Sequence, residues 1–125
     1  MVQHWRVPLG GPGVLRRREL SSVDLCKAYI ERIKKFEKDV HAWAHFDEKI
    51  LLEKAEESDN HRKSGKPLGL LHGIPVALKD IIGTIDMPTE CGTVLRKGIS
   101  AFQDAEIVDL LKSEGAIIMG KTNTT

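Results

Sequence analysis

Apolar and polar positions first separate cleanly after residue 20, where apolar side chains recur at helical spacing and charged ones take the opposite face. The apolar positions are Cys26, Tyr29, Ile30, Ile33 and Phe36. Ser21 and Asp24 form an S-x-x-D capping-box pattern just before this stripe. The pattern therefore predicts an amphipathic helix that starts at Ser21.

The periodicity then changes from helical to alternating over residues 40–46, which predicts a strand. One side of this strand would carry Val40, Ala42, Ala44 and Phe46, and the other side His41, Trp43 and His45. A second helix is predicted from Asp47, its cap, to about Ser64, with Gly65 and Pro67 ending it. Its narrow inner stripe would be Ile50, Leu51, Lys54 and Ala55, and its polar second half predicts a surface position.

The pattern of the second half of the chain predicts a strand, a long irregular segment, a helix and a second strand. Residues 74–78 form a short apolar run typical of a buried strand, residues 83–103 look irregular, and residues 116–119 predict another buried strand. Asp104 is predicted to cap the intervening helix, and Gly115 to end it. The predicted inner positions of that helix are Ile107, Val108, Leu110 and Leu111. This order predicts a βαβ unit with parallel, right-handed connection, and hence an α/β fold.

Residues 1–14 are rich in Gly and Pro and are predicted to be poorly ordered, which leaves residues 15–125 as the folded part. The aromatic side chains are expected in the core rather than on a base-stacking surface, because no basic stripe accompanies them. They are Trp5, Tyr29, Phe36, Trp43, Phe46 and Phe102.

Composition narrows the classes of partner. The 125 residues carry a net charge of +1, with 41% apolar and 30% charged residues, so we expect no nucleic-acid partner. No apolar run approaches the roughly 20 residues of a membrane span. Cys26 and Cys91 form neither a metal spacing nor a disulfide framework, and the N-terminus lacks the apolar region of a signal peptide. These features predict a cytoplasmic protein.

Lys79 is the residue that most suggests chemistry. It ends the apolar strand PVALK and is followed by Asp80. Burying an ammonium group is costly, and burial lowers a lysine pKa, which can turn the amine into a base near neutral pH. The structural alternative is that Lys79 reaches water at a sheet edge or pairs with Asp80. The residue types alone favour that alternative, because strongly perturbed lysines are rare.

Two other patterns are interpreted as structural. Residues 115–122 match the phosphate-binding pattern G-x-x-x-x-G-K-[ST], but they follow a predicted helix, and their middle is apolar and strand-like. A phosphate-binding loop must instead follow a strand and open a helix. His41 and His45 are four residues apart, yet they fall on a predicted strand with no third ligand nearby. We therefore predict no nucleotide cofactor and no metal.

Four blocks in order resemble the amidase-signature family. GLLHGIPVALKDII at 69–82 is similar to that family's lysine region, and LSSVDLCKAYIERI at 20–33 to its first helix. MPTECGT at 87–93 resembles its M-P-T loop, and the segment 104–125 its D-A…G-A…G-K-T-N block. The spacings between the blocks also fit. The resemblance covers residues 15–125, and the blocks at 87–93 and 120–125 look closer to the general amidases.

The resemblance implies hydrolysis of amide C–N bonds by a Ser–cis-Ser–Lys triad, in which Lys79 matches the lysine. It implies helices packed on the beginning of a mixed sheet and a small-molecule amide as the substrate. The triad serines of the family come after the G-K-T-N block, so we expect residues 15–125 to be an N-terminal portion that is truncated before them. The alternative is a catalytically inactive fragment or a small binding protein.

Two glycines are predicted to serve the backbone. Gly73 is expected to let the chain turn into the strand before Lys79, and Gly92 to allow a tight turn in the loop after it.

Overall fold

The computed structural model describes residues 20–125, in which helices and strands alternate along the chain. The helices are α1 (Ser22–Val40), α2 (Glu48–Lys63) and α3 (Glu106–Ser113), and the strands are β1 (Trp43–Phe46), β2 (Pro75–Lys79) and β3 (Ile117–Thr122). A 3-10 turn covers Val94–Arg96. The predicted α/β class is confirmed, while segment 1–14, predicted to be poorly ordered, and Trp5 within it lie outside the described residues.

The three strands form a mixed sheet in the order β1-β3-β2. The central strand β3 is parallel to β2 and antiparallel to β1. The predicted parallel pairing of the two apolar strands is therefore confirmed. The central position of β3 in the sheet explains why its residues 117–121 are all buried.

The edge strand β1 departs from the predicted alternation. Val40 ends α1 and His41 is the C-cap of that helix in the left-handed conformation, so neither belongs to the strand. The pairing with β3 shifts register between Trp43 and His45, and both Trp43 and Phe46 pack on the core while Ala44 is exposed. The prediction that Ala44 and Phe46 share a side is wrong because such an irregularity breaks the two-residue period.

The helices α1 and α2 pack on one face of the sheet and begin where the sequence predicts. Ser21 accepts a hydrogen bond from Asp24 N in a capping box, and Asp47 accepts one from Ile50 N. Their shared core contains Cys26, Ile30, Leu51, Ala55, Ile117 and Met119. Burial raises the pKa of the Cys26 thiol to about 11, as expected for a core cysteine. Ile50, predicted to face inward, is 45% exposed.

The opposite face of the sheet holds a second core of Leu78, Met87, Val108 and Ile118. Within α3 only Val108 is fully buried, and Leu111 packs partly against this core. Ile107 and Leu110 are more than half exposed, so their predicted inward orientation is wrong. A helix of eight residues places only a narrow stripe on the sheet, and these two positions fall outside it.

Asp104 is not the cap of α3. The N-cap is Ala105, whose side chain cannot accept a hydrogen bond, and Asp104 instead accepts bonds from Ile85 N and Lys112 Nζ. Lys112 also lies 3.5 Å from Asp86, which pairs with Lys54 on α2 at 3.1 Å. The acidic residue before α3 thus ties the helix to the irregular segment, a role that a capping pattern does not reveal.

The polar second half of α2 is mostly exposed, as predicted, but it contains one buried ionic group. Asp59 accepts bonds from Ser22 N at 2.8 Å and Val23 N at 3.1 Å, and Arg62 donates to Asp59 at 3.2 Å. The carboxylate therefore satisfies the free N–H groups at the start of α1. Gly73 has φ +76, as the predicted turn requires, and a Cβ there would lie 2.2 Å from Ser22 Oγ.

The segment between β2 and α3 is irregular, as predicted, and exposes several apolar side chains. Phe102 is fully exposed, so its predicted core position is wrong. The other exposed large apolar residues of this segment are Ile81, Ile85, Val94, Leu95 and Ile99. None of the helices in residues 20–125 is long and apolar enough to cross a membrane.

Candidate active site

Lys79 is the last residue of β2 and lies beside Thr122, the last residue of β3. The two strands are parallel, so their carboxyl ends meet at one edge of the sheet. Ligands of α/β proteins commonly bind at this edge. The predicted catalytic lysine is therefore placed where the fold favours a site.

The main chain at Lys79 is held on both sides of the residue. Asp80 N donates to Thr122 O at 2.9 Å, and Ile82 N donates to Lys79 O at 3.0 Å. The side chain, in contrast, is exposed, and within residues 20–125 its amine has no hydrogen-bond or ion-pair partner. Of the two structural alternatives, Lys79 reaches the surface and does not pair with Asp80. A fixed backbone with a free amine can present a base to a group that approaches from outside.

The neighbouring Asp80 is almost fully buried and points away from Lys79. Its carboxylate accepts from Glu90 N at 3.2 and 3.3 Å, and its carbonyl oxygen accepts from Cys91 N at 3.0 Å. The residue after the candidate lysine thus binds the 87–93 loop.

Lys121 is the buried lysine of this region, although the sequence drew attention to Lys79. Its side chain has no exposed surface, and Nζ donates to Ile82 O at 2.8 Å, Pro88 O at 3.2 Å and Thr89 Oγ1 at 2.8 Å. An ammonium group has three N–H donors, so all of them are used. Asp80 Oδ1 lies 3.9 Å away.

Electrostatics at Lys121 follow from this enclosure. Burial lowers the pKa of Lys121 from its ordinary value, and the carboxylate of Asp80 acts in the opposite direction. In the sequence, Lys121 stands out only as part of the rejected phosphate-binding pattern. The strand predicted to be buried ends at Met119, two residues before Lys121, and this closeness was the one hint of its burial in the sequence.

The two lysines lie on opposite faces of the sheet. Lys121 is in register with Leu78, which packs in the core beneath α3, and so it shares that face. Lys79 follows Leu78 by one residue and therefore points to the other face, because successive side chains alternate along a strand.

The 87–93 loop is packed against the end of β3. Gly92 has φ +69, which confirms the predicted tight turn, and a Cβ there would lie 2.5 Å from Thr124 Oγ1. Pro88 bridges to Ser100, and Thr89 N donates to Ile99 O at 2.8 Å. The loop that follows the candidate lysine is consequently ordered by several independent contacts.

The other candidate patterns do not join this site. The stretch 115–122 that matches the phosphate-binding pattern is mostly strand β3, with Lys121 turned toward carbonyl oxygens. His41 and His45 are divided between a helix cap and β1. Across residues 20–125, no cluster of three His, Cys, Asp or Glu side chains is placed to hold a metal ion.

A groove of about 570 Å³ lies at the other end of the sheet. Its lining includes Lys54, His61, His72, Asp86 and Lys112, together with Ile117 at the start of β3. Lys79 is not part of this lining, so the groove and the candidate base are separate features.

The fold and the strand-end lysine define an α/β protein with a candidate base at the carboxyl edge of a parallel strand pair. The amidase family profile matches residues 24–125, and the chain belongs to that family, which is the amidase-signature family that the four sequence blocks indicated.

Known relatives of the chain include amidotransferase components. The A-subunit of glutamyl-tRNA(Gln) amidotransferase from Rhodopirellula baltica is 40% identical over 105 residues, which are 84% of this chain and 21% of that protein. The mitochondrial A-subunit from Mus musculus is 38% identical over 109 residues, 87% of this chain and 21% of that protein. The chain thus spans about a fifth of the length of these relatives.

Solved structures agree on the fold. The peptide amidase PAM in complex with chymostatin superposes with a TM-score of 0.82 at 34% identity, over 90% of this chain and 23% of that one. The native peptide amidase of Stenotrophomonas maltophilia gives a TM-score of 0.80 at 34% identity, over 88% of this chain and 23% of that one. Because both amidotransferase subunits and amidases match, the closer similarity of this chain to the general amidases stays a prediction.

Proposed function

We propose that this chain supplies the catalytic lysine, Lys79, of an enzyme that hydrolyses carboxylic amides. The observation that carries the proposal is an exposed Lys79 on a fixed backbone, at the carboxyl end of a strand in an amidase-family chain, whose amine has no partner among residues 20–125. We propose no metal, nucleotide cofactor or nucleic acid for this reaction.

The proposed chemistry is acyl transfer through two serines. Lys79 Nζ takes a proton from a bridging serine, which in turn takes the proton of the nucleophilic serine as that oxygen attacks the amide carbonyl. The same relay returns a proton to the leaving amine, and water then releases the acyl group as a carboxylic acid. Backbone N–H groups would hold the tetrahedral oxyanion.

We propose that the two serines lie outside residues 1–125. Several serines of residues 20–125 have structural contacts: Ser21 caps α1, Ser22 is buried against Asp59 and Arg62, and Ser64 donates to His61 O. On this proposal, residues 15–125 are the N-terminal portion of a longer catalytic domain. The short span relative to the family and the exposed apolar side chains around Val94, Leu95 and Phe102 support it.

We also propose that the enzyme acts in the cytoplasm. The two cysteines, Cys26 and Cys91, are both free thiols, which is usual for a reducing compartment.

The first experiment concerns the transcript. An open reading frame that continues beyond Thr125 into a Gly/Ser-rich segment supports the enzyme, and its product is called the extended chain below. A stop codon after Thr125 supports the rival function, a catalytically inactive chain retained for binding. We expect residues 1–125 alone to release no ammonia or amine from simple aliphatic and aryl amides.

The second experiment tests Lys79 in the extended chain. Lys79→Ala should abolish turnover, by several orders of magnitude, while the unfolding midpoint is retained. Lys49→Ala on α2, which removes an exposed lysine elsewhere, is the matched control and should keep both. Normal turnover per folded molecule in Lys79→Ala would disprove the proposed role.

A further inference from the structure

We propose that Lys121 is a positioning residue for Lys79, which acts by fixing the chain that leaves the candidate base. This inference rests on the proposed function. Lys121 touches neither Lys79 nor, on this proposal, the substrate; it acts through residues 80–91.

The contacts of Lys121 bracket that segment. Ile82, three residues after Lys79, offers one carbonyl oxygen, and Pro88 and Thr89 offer a second carbonyl and a hydroxyl. One ammonium group therefore joins the beginning of the segment to the loop that folds back over it.

Asp80 also binds this loop. It follows Lys79 directly, lies 3.9 Å from Lys121 Nζ, and accepts from the main chain of Glu90 and Cys91. Movement of the loop would thus be transmitted to the residue next to Lys79. The charge-assisted hydrogen bonds that Lys121 donates and Asp80 accepts resist such movement more strongly than apolar contacts, because they require specific directions.

Stability alone is a weak reason for a lysine here. Apolar side chains at both position 121 and position 80 would avoid the cost of burying two charges, and replacement of a whole buried ion pair is often neutral or stabilising in other proteins. Loss of Lys121 alone, in contrast, would leave its acceptors and Asp80 buried without it. The complete use of its three donors indicates instead that Lys121 sets the positions of three acceptors. Since a base must be placed within a fraction of an ångström of its partner, loss of this arrangement should reduce turnover.

The test compares variants of the extended chain with substitutions at Lys121 and Thr89. Lys121→Met keeps most of the length of the side chain and removes the donors, Thr89→Val removes the hydroxyl at constant shape, and Thr89→Ser retains it. Lys34→Met, which breaks an exposed pair with Glu48, is the control. Amide hydrogen exchange at Glu90 and Cys91, kcat and KM are measured on the folded protein.

We expect Lys121→Met to lower kcat about 10- to 100-fold with KM little changed, the size that a misplaced base can cost. The Glu90 and Cys91 amides should exchange faster in this variant. Thr89→Val should shift both quantities in the same direction, and Thr89→Ser should recover most of that loss.

Wild-type kcat in folded Lys121→Met would overturn the inference and leave Lys121 as a structural lysine only. A wild-type extended chain that hydrolyses no amide would instead overturn the proposed function. In that case the exchange data still decide whether Lys121 fixes residues 80–91, since unchanged protection at Glu90 and Cys91 in Lys121→Met contradicts it.

Discussion

The ends of β2 and β3 lie side by side, and each carries a lysine, yet the two side chains have opposite environments. Lys79 at the end of the edge strand β2 is exposed, with no partner for its amine among residues 20–125. Lys121 in the central strand β3 is completely enclosed, and all three of its donors are bonded. One lysine is available to another molecule, and the other organises its own chain.

The difference shows that strand position and face determine what a strand-end lysine can do. The face that Lys121 shares with Leu78 is covered by the irregular segment after β2, which supplies carbonyl oxygens. The described chain leaves the opposite face open at Lys79. The family supplies the catalytic interpretation of Lys79, while the contacts supply the structural interpretation of Lys121.

The largest expected effect on stability separates the two residues directly. Lys121→Ala should lower the free energy of unfolding by about 3–5 kcal/mol, because it leaves the carbonyl oxygens of Ile82 and Pro88 without their donor and the buried Asp80 carboxylate without its neighbouring positive charge. Lys79→Ala should change it by less than about 0.5 kcal/mol, as for an ordinary surface position. Urea unfolding of both variants in the extended chain measures the difference. Equal losses would remove the contrast.

A smaller effect is expected when the partner of Lys121 is changed. Asp80→Asn removes the charge but keeps one acceptor for Glu90 N, so we expect a loss of about 1–3 kcal/mol in the free energy of unfolding. Lys121 would keep its three neutral acceptors. A loss as large as that of Lys121→Ala would show that the charge pair with Asp80, rather than the hydrogen bonds of Lys121, provides most of the stability.

A capping residue gives a scale for these losses. Asp47→Ala should cost about 1 kcal/mol, because Asp47 caps α2 through Ile50 N. The same urea unfolding curves measure it. A cost above that of Asp80→Asn would indicate that helix ends, rather than the strand ends, dominate the stability of this region.

The smallest expected effect is a loss of stability at acid pH that involves neither of the two strand-end lysines. Burial alone would raise the pKa of Asp104, but hydrogen bonds from Lys112 and Ile85 N outweigh it and lower the pKa below its ordinary value of 3.8. The carboxylate therefore stabilises the fold above that value, and this contribution is lost as pH falls through the lower, folded pKa. Asp104→Asn should flatten the acid limb of stability, measured by thermal unfolding between neutral pH and about pH 2. An unchanged acid limb in Asp104→Asn would contradict the assignment.

Regular elements were predictable from the sequence because their signals are local. Ser21 and Asp47 mark the starts of α1 and α2, and the apolar run before Lys79 marks β2. Asp104 shows where local signals fail: it precedes a helix and could cap it, but contacts with Ile85 and Lys112 compete for the carboxylate. Such competition depends on residues far apart in the chain.

The candidate site was only half predictable. Lys79 could be identified because the surrounding segment resembles a family motif, whereas nothing local to Lys121 reveals its three acceptors, which lie 32 to 39 residues earlier in the chain. Its burial follows from the central place of β3 in the sheet, which sequence periodicity does not give. Phe102 is the converse case, an aromatic residue predicted in the core that the fold leaves exposed.

The most direct measurement places the same substitution at both strand ends. Lys79→Met and Lys121→Met are made in the extended chain, and kcat for amide hydrolysis and the unfolding midpoint are recorded for each. We predict that Lys79→Met loses turnover by several orders of magnitude at an unchanged midpoint. Lys121→Met should show a lower midpoint and a much smaller loss of kcat. Loss of turnover at Lys121 with retained turnover at Lys79 would contradict the assignment of Lys79 as the catalytic base.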